Sequence, residues 1–201
     1  SSTNSPVITV TEPSIAFTKT VNFVSPLDAG DTVTYTLGYT NLSGANISTA
    51  FDVVITDTLP ISITLNSGSI LSSTVGTVGT IAQTIVGGNL TFTVSSVAPG
   101  ASVIITYTAV VSNTVTQSDV LSNTAGSTWT STSAVTTTER TGTGGINDYF
   151  TSTTKSVTIN PVNPVITKNT PSPLTYAVGD LITYTIPVTL VEGTTRNLIV
   201  T

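Results

Sequence analysis

Cysteine, methionine and histidine are all absent from this chain of 201 residues. Without cysteine there can be no disulfide framework and no thiolate metal site. Without cysteine and histidine, the usual nucleophile–base pairs of hydrolytic enzymes cannot be assembled. The Gly-x-Ser-x-Gly and phosphate-loop motifs are missing as well. We therefore expect a protein that is not an enzyme and that binds neither a cofactor nor a metal ion.

Charge is also scarce, because only 7% of the residues are charged, whereas about 25% is typical of soluble domains. The net charge is −5, and the five basic residues are scattered as Lys19, Arg140, Lys155, Lys168 and Arg196. This distribution offers no basic patch for phosphates, so we expect no nucleic-acid partner. No apolar run is long enough for a transmembrane helix, and residues 1–6 do not resemble a signal peptide. These features are expected of a mature or excised fragment without a membrane span.

What the chain has in abundance is Thr, Ser, Val and Ile, and three of these are β-branched residues that suit a pleated, half-buried surface. Apolar residues alternate with polar ones in short runs, which is the pattern of strands with one buried face. The runs cover residues 15–21, 33–37, 51–57, 81–86, 90–94, 103–111 and 121–125, and turn-forming residues separate them. Many short strands without helical periodicity predict an all-β fold of immunoglobulin-like β-sandwich repeats in tandem.

The chain contains an internal repeat. TKT at residues 18–20 is matched by TKN at 167–169, and GDTVTYT at 30–36 is matched by GDLITYT at 179–185. Both pairs are offset by 149 residues, so the spacing between the two motifs is the same in both copies. Self-similarity at a fixed spacing is typical of proteins built from tandem structural repeats.

This repeat predicts the domain organisation. Residues 1–12 form an N-terminal extended segment or linker, and residues 13–160 form one complete immunoglobulin-like repeat. Residues 161–201 comprise a Pro-rich linker and the first strands of an incomplete second repeat. Because so few strands cannot close a sandwich, we expect the second repeat to be completed by further sequence or by strands from a neighbour.

Five short blocks occur in order along the first repeat, namely GDTVTYT (30–36), TN (40–41), VITDTLP (54–60), VAPGA (97–101) and SNTA (122–125). Their order and spacing resemble the conserved repeat domain of prokaryotic cell-surface proteins, which is similar to the isopeptide-forming domains of fimbrial proteins. The resemblance covers residues 13–126, and residues 164–201 as a truncated second copy. It implies surface display, a filament or adhesin architecture and often an intramolecular Lys–Asn crosslink.

Three polar residues lie where strand alternation predicts an apolar face, namely Lys19, Asp57 and Asn123. An isopeptide bond needs a neutral Lys that attacks, an Asn that supplies the carboxamide carbon and loses ammonia, and a protonated carboxyl that moves protons. The three residues match the family's motif positions, so the resemblance implies these roles for them. Asp52 is the alternative acid, although its parity places it outward.

A simpler interpretation is a plain salt bridge between Lys19 and Asp57 at a sheet edge, with Asn123 capping a turn. In the second repeat Lys168 is the equivalent of Lys19, and its Asp and Asn partners lie outside the sequence. Both interpretations place Lys19 beside Asp57, and they differ in whether Asn123 joins them.

Three asparagines begin N-glycosylation sequons, namely Asn41, Asn46 and Asn89. They fall in predicted turns or at predicted strand starts. They are therefore the candidate sites for N-linked glycans, with the Thr-rich strands as O-linked alternatives.

Two further groups have a structural and a functional interpretation. Asp28 and Asp31 flank a glycine, and an ordinary polar turn is favoured over a calcium site because the spacing is not that of an EF-hand loop. Trp129, Tyr149 and Phe150 form either an exposed aromatic patch or the packing of an elaborated last hairpin, and we favour the packing.

The sequence is thus compatible with two functions. The first is a structural extracellular repeat protein that forms a stalk, sheath or filament at the prokaryotic cell surface, with neighbouring copies or adjacent repeats as its partners. Strand addition would join the units and an internal Lys–Asn bond would stabilise them. The second is an adhesin or binding module that recognises glycan or a cell-surface partner through the loop at 139–150. Repetition without a convergent polar site favours the first.

Overall fold

The computed structural model describes residues 6–133, 149–160, 164–190 and 199. Within them lie the strands β1 (Ile15–Phe23), β2 (Thr32–Asn41), β3 (Ala50–Thr58), β4 (Ile63–Leu65), β5 (Leu71–Val75), β6 (Ile81–Val86), β7 (Asn89–Val97), β8 (Ser102–Val111), β9 (Val120–Thr130), β10 (Phe150–Thr158), β11 (Val165–Ile166) and β12 (Val188–Thr189). The described residues contain no helix, and the predicted all-β fold is confirmed.

Strands β1 to β10 form two five-stranded antiparallel sheets. The first sheet has the order β1-β2-β8-β4, with β5 also paired to β8, and the second has the order β10-β9-β3-β7-β6. Buried apolar residues of both sheets form a single cluster. Two antiparallel sheets around one core are the predicted immunoglobulin-like β-sandwich.

Alternation along β2 and β8 positions the core residues. In β2, Val33, Tyr35 and Leu37 are buried while the threonines between them are exposed or half-buried. The antiparallel register places Tyr35 opposite Tyr107 of β8, so two large rings enter the core side by side. Full burial of a side chain of this size contributes about 1.5 to 3 kcal/mol. The same alternation therefore provides both the register and much of the stability.

Two strands were not predicted from the sequence, namely β4 and β5. The LSSTV sequence of β5 shows no regular alternation of apolar and polar residues, and all five residues are exposed in the structure. It forms because its backbone pairs with β8 from Leu71 opposite Thr106 to Val75 opposite Ser102. Backbone pairing with an existing strand leaves no signature in side-chain periodicity.

The strand β3 contains a β-bulge beside the first of its two acidic residues. The register between β3 and β9 shifts between Phe51 and Val54, and Asp52 has a positive φ of 46°. Asp52 is exposed, as its parity predicts, while Ile55 and Asp57 are buried. One carboxylate of β3 therefore faces solvent and the other faces the core.

The strands β11 and β12 pair antiparallel, with Val165 opposite Thr189. The residues 149 positions earlier, Ala16 and Thr40, are paired in the same way in the first repeat. The hairpin at 165–189 therefore has the register of the β1–β2 pair.

Trp129 and Tyr149 pack inward as predicted, since they are 7% and 6% exposed and their ring centroids stack 5.7 Å apart. The packing predicted for Phe150 is wrong, because its side chain is 51% exposed. Residues 139–148 of the predicted binding loop lie outside the described residues. In the described part of the chain, no helix is long and apolar enough to cross a membrane.

Candidate functional site

Lys19 and Asp57 form an ion pair inside the sandwich. Lys19 lies on β1 of the first sheet and Asp57 on β3 of the second, and both side chains are fully inaccessible to solvent. Nζ of Lys19 donates hydrogen bonds to Oδ1 and Oδ2 of Asp57 at 2.7 and 2.6 Å. The pair thus crosses from one sheet to the other through the core.

Asn123 joins this pair through Tyr107. The hydroxyl of Tyr107 donates a hydrogen bond to Oδ2 of Asp57 at 2.6 Å, and Nδ2 of Asn123 donates one to the same hydroxyl oxygen at 3.1 Å. Tyr107 lies on β8 and Asn123 on β9, and each is fully buried. Lys19, Asp57, Tyr107 and Asn123 therefore form one continuous hydrogen-bonded chain, which we call the core network.

Burial shifts both charged groups of the core network towards their neutral forms. Desolvation lowers the pKa of Lys19 below its usual value, and the neighbouring Asp57 carboxylate counteracts part of that shift. Desolvation likewise raises the pKa of Asp57, against the opposing effect of Lys19. A neutral amine and a protonated carboxyl are the forms that acyl transfer from an amide to an amine requires.

Aromatic rings enclose the core network. Nζ of Lys19 lies 4.9 Å from the ring centroid of Tyr35, and that ring lies 5.5 Å from the ring of Tyr107. The carbonyl oxygen of Asn123 is buried and has no hydrogen-bond partner among the described residues. This oxygen can therefore still accept the hydrogen bond that would polarise the carbonyl for attack by an amine.

The structure brings the three residues singled out in the sequence to one place. Asn123 lies in the middle of β9 and caps no turn, while the salt bridge between Lys19 and Asp57 of the simpler interpretation is present and fully buried. Sequence reasoning missed Tyr107. Tyr107 shares its parity with Ile105 in the apolar alternation of β8, which predicts its burial but not its hydrogen bonds.

In the second copy, Lys168 stands in an equivalent aromatic contact. Its Nζ lies 4.0 Å from the ring centroid of Tyr184, which corresponds to Tyr35 at the offset of 149 residues. The two lysines thus share their position relative to an aromatic ring, while Lys19 has in addition its Asp57 partner.

The three sequons differ in accessibility. Asn41 is fully buried, and its Nδ2 donates hydrogen bonds to the carbonyl oxygens of Ser48 and Val97 at 2.8 and 2.9 Å. An amide nitrogen in that position cannot carry a glycan in the folded chain, so the candidacy of Asn41 is corrected. Asn46 and Asn89 are exposed and remain predicted sites.

In the turn before β2, the carboxylates of Asp28 and Asp31 accept hydrogen bonds from backbone amides of the same turn. Oδ2 of Asp31 accepts a hydrogen bond from the Asp28 amide at 2.8 Å, and Oδ1 of Asp28 accepts one from the Ala29 amide at 2.7 Å. Within the described ranges, no cluster of three or more metal-ligating residues is found. These carboxylates therefore stabilise a turn, which is the interpretation that the sequence favoured.

Comparison with known proteins finds similarity among solved structures only. No family model matches the chain, and no curated protein matches it. Among solved structures, it is similar to a variant of BcpA, the major pilin subunit of Bacillus cereus, with 17% identity and a TM-score of 0.54 over 76% of this chain and 42% of that one.

Two further solved structures are similar at lower scores. The T6 backbone pilin of Streptococcus pyogenes gives 15% identity and a TM-score of 0.48, over 79% of this chain and 38% of the pilin. The collagen-binding domain of a Staphylococcus aureus adhesin gives 13% identity and a TM-score of 0.47, over 70% of this chain and 97% of the adhesin domain. The chain spans less than half the length of the two pilins. Its predicted resemblance to fimbrial domains is confirmed at the level of the fold.

Proposed function

We propose that this chain is a structural domain of an extracellular filament or stalk at a prokaryotic cell surface, and that an internal isopeptide bond joins Lys19 to Asn123. The core network carries the proposal, because a buried amine bonds directly to a buried carboxyl, and the Tyr107 hydroxyl links that carboxyl to a buried carboxamide. The fold shared with the pilin BcpA supports the assignment to a filament.

The proposed reaction is a single turnover of the chain on itself. Nζ of Lys19 attacks Cγ of Asn123, a new C–N bond forms, and the amide nitrogen of Asn123 leaves as ammonia. Asp57 accepts a proton from the attacking amine and returns one to the leaving group. Burial favours the neutral starting forms of Lys19 and Asp57, as their pKa shifts indicate.

Such a bond would join the two sheets covalently. Lys19 belongs to the sheet of β1 and Asn123 to the sheet of β9, so the bond would cross the core and close a long loop of chain. By the chain-entropy estimate for disulfides, closing a loop of about 100 residues stabilises a fold by roughly 4 to 5 kcal/mol. A chain without cysteine would thereby gain the constraint that a disulfide provides in other surface proteins.

The intact mass of the purified chain tests the bond. We expect the protein to be one ammonia lighter than its sequence mass, and we expect a proteolytic digest to contain the peptide of Lys19 joined to that of Asn123. Lys19→Met should restore the full sequence mass. Lys155→Met is the matched control, because Lys155 is exposed although it stands directly opposite Asn123 on β10. An unshifted wild-type mass would contradict the proposal.

Assembly through the second copy is the other part of the proposed function. Ile182, Tyr184 and Ile186 are 43%, 48% and 50% exposed, although their equivalents in the first repeat are core residues. Strands from a neighbouring copy or from further sequence would cover this apolar face. This supports a filament in which units are joined by strand addition.

Assembly can be measured by electron microscopy and analytical ultracentrifugation of concentrated protein. We expect the chain to associate, and we expect Ile186→Asp to reduce that association because it places a charge on the apolar face. Thr185→Asp, on the opposite face of the same segment, is the control and should leave association unchanged. Discrete monomers at every concentration would count against strand addition.

A further inference from the structure

We propose that Tyr107 is a catalytic residue of the reaction between Lys19 and Asn123, in which its hydroxyl passes a proton from Asp57 to the departing amide nitrogen. This inference rests on the isopeptide bond proposed above. It adds a fourth member to the Lys, Asp and Asn set that the sequence predicted, and it assigns that member to one step, the departure of ammonia.

The position of the Tyr107 hydroxyl carries the inference. Its oxygen lies 2.6 Å from Oδ2 of Asp57 and 3.1 Å from Nδ2 of Asn123. Nδ2 is the atom that must leave as ammonia, and Asp57 is the one carboxyl group of the core network. The hydroxyl therefore stands between the proton source and the leaving group, one hydrogen bond from each.

The two oxygens of Asp57 have different neighbours. Oδ1 accepts a hydrogen bond from Nζ of Lys19 at 2.7 Å, while Oδ2 contacts both Nζ and the Tyr107 hydroxyl. One oxygen can therefore receive a proton from the attacking amine while the other releases a proton towards Tyr107. This arrangement moves a proton from Lys19 to the amide nitrogen of Asn123 without a water molecule.

The proton transfers balance through the whole reaction. When Nζ of Lys19 bonds to Cγ of Asn123, the carbonyl electrons move onto Oδ1 of Asn123 and the attacking nitrogen becomes positively charged. Nζ then gives one proton to Oδ1 of Asp57, Oδ2 of Asp57 gives its proton to the Tyr107 oxygen, and Tyr107 gives its own hydroxyl proton to Nδ2. The bond between Cγ and Nδ2 breaks with its electron pair going to nitrogen, and the carbonyl re-forms. Ammonia leaves, Tyr107 ends in its starting form, and Asp57 ends protonated on Oδ1 instead of Oδ2.

The environment of Tyr107 suits a relay that stays neutral. Burial, followed by the nearby Asp57 carboxyl, raises the pKa of Tyr107 above its usual value. The phenol is therefore protonated before the reaction, and it receives one proton as it releases another. Its hydroxyl hydrogen can turn from Asp57 to Nδ2 once the attack has converted the amide nitrogen into a basic amine.

A second buried tyrosine provides the matched control. Tyr39 is also fully buried in the first sheet, and its ring packs edge-on against Trp129 at a centroid distance of 6.1 Å. Its hydroxyl has no hydrogen-bond partner among the residues that the structure describes. Tyr39→Phe therefore removes the same atom from the same sheet without touching the core network.

The rate of ammonia loss tests the relay. Wild type, Tyr107→Phe and Tyr39→Phe are made by cell-free translation, synthesis is stopped, and samples quenched in acid at intervals are analysed by intact mass. We expect Tyr107→Phe to lose ammonia about 100-fold more slowly than wild type, as is typical when a general acid is removed. Tyr39→Phe should react at the wild-type rate.

A second variant separates proton transfer from mere positioning. Replacing Tyr107 by 3-fluorotyrosine retains the hydroxyl and nearly the same shape but makes the phenol more acidic. A proton relay then predicts a changed rate of ammonia loss, because the acidity of the hydroxyl enters both of its proton transfers, with an unchanged unfolding midpoint in urea. A rate equal to that of wild type would overturn the relay, as would equal rates for wild type and Tyr107→Phe. A wild-type chain that never loses ammonia would overturn the isopeptide bond itself, and the relay with it.

Discussion

Asp57→Ala is expected to destabilise the domain by an amount comparable to its whole free energy of unfolding. The substitution leaves the amine of Lys19 buried without its partner, which costs about 3 to 5 kcal/mol. It also removes the acid that the proposed bond requires, and with it roughly 4 to 5 kcal/mol of chain-entropy stabilisation. Domains are typically stable by about 5 to 15 kcal/mol, so the variant should unfold at much lower urea concentrations. The fluorescence of Trp129, the single tryptophan, reports the transition.

The double variant Lys19→Met with Asp57→Leu separates the two contributions. It cannot form the bond, but it buries no unpaired charge, and replacing a buried ion pair by apolar residues is often neutral. We therefore expect it to be more stable than Asp57→Ala by about 3 kcal/mol. Equal stability of the two variants, or a wild-type midpoint for Asp57→Ala, would contradict the buried ion pair. Lys155→Met, at an exposed position, should change stability by less than about 0.5 kcal/mol.

Asn41→Ala is expected to cost about 2 to 4 kcal/mol, because three backbone groups would lose their partner at once. Oδ1 of Asn41 accepts a hydrogen bond from the Ser14 amide at 3.1 Å, and its Nδ2 donates to the carbonyl oxygens of Ser48 and Val97. The side chain thereby holds three separate segments of backbone at the end of β2. Urea unfolding measures the loss.

Asn89→Ala is the matched control for Asn41→Ala. Asn89 also begins a sequon, but it is exposed and accepts a single hydrogen bond from Oγ1 of Thr58. Its replacement should change stability by less than about 0.5 kcal/mol. If the two substitutions had equal effects, the structural role assigned to Asn41 would be wrong.

The two asparagines show where a sequence motif is insufficient. Both satisfy the same three-residue glycosylation pattern, and a pattern of three residues contains no information on burial. Only the packing of Asn41 against the chain around Ser48 and Val97 distinguishes them.

Tyr107 shows a different limit. Its parity in β8 predicted a core position, as for Val103 and Ile105, and nothing in that pattern separates a tyrosine that only packs from one that bonds. Its hydroxyl meets Asp57 and Asn123 because β8 lies in one sheet and β3 and β9 in the other. The distance across a sandwich depends on how the sheets face each other, which no single strand encodes.

The sequence by itself determined that this chain is all-β, that it repeats at an offset of 149 residues, and that Lys19, Asp57 and Asn123 face the core. It did so because side-chain alternation along a strand is a local property with a period of two residues. Only the tertiary structure decided that these three side chains meet, that Tyr107 links them, that Asn41 is buried, and that β4 and β5 exist. Those features depend on contacts between residues far apart in the chain, and such contacts form only when the two sheets pack together.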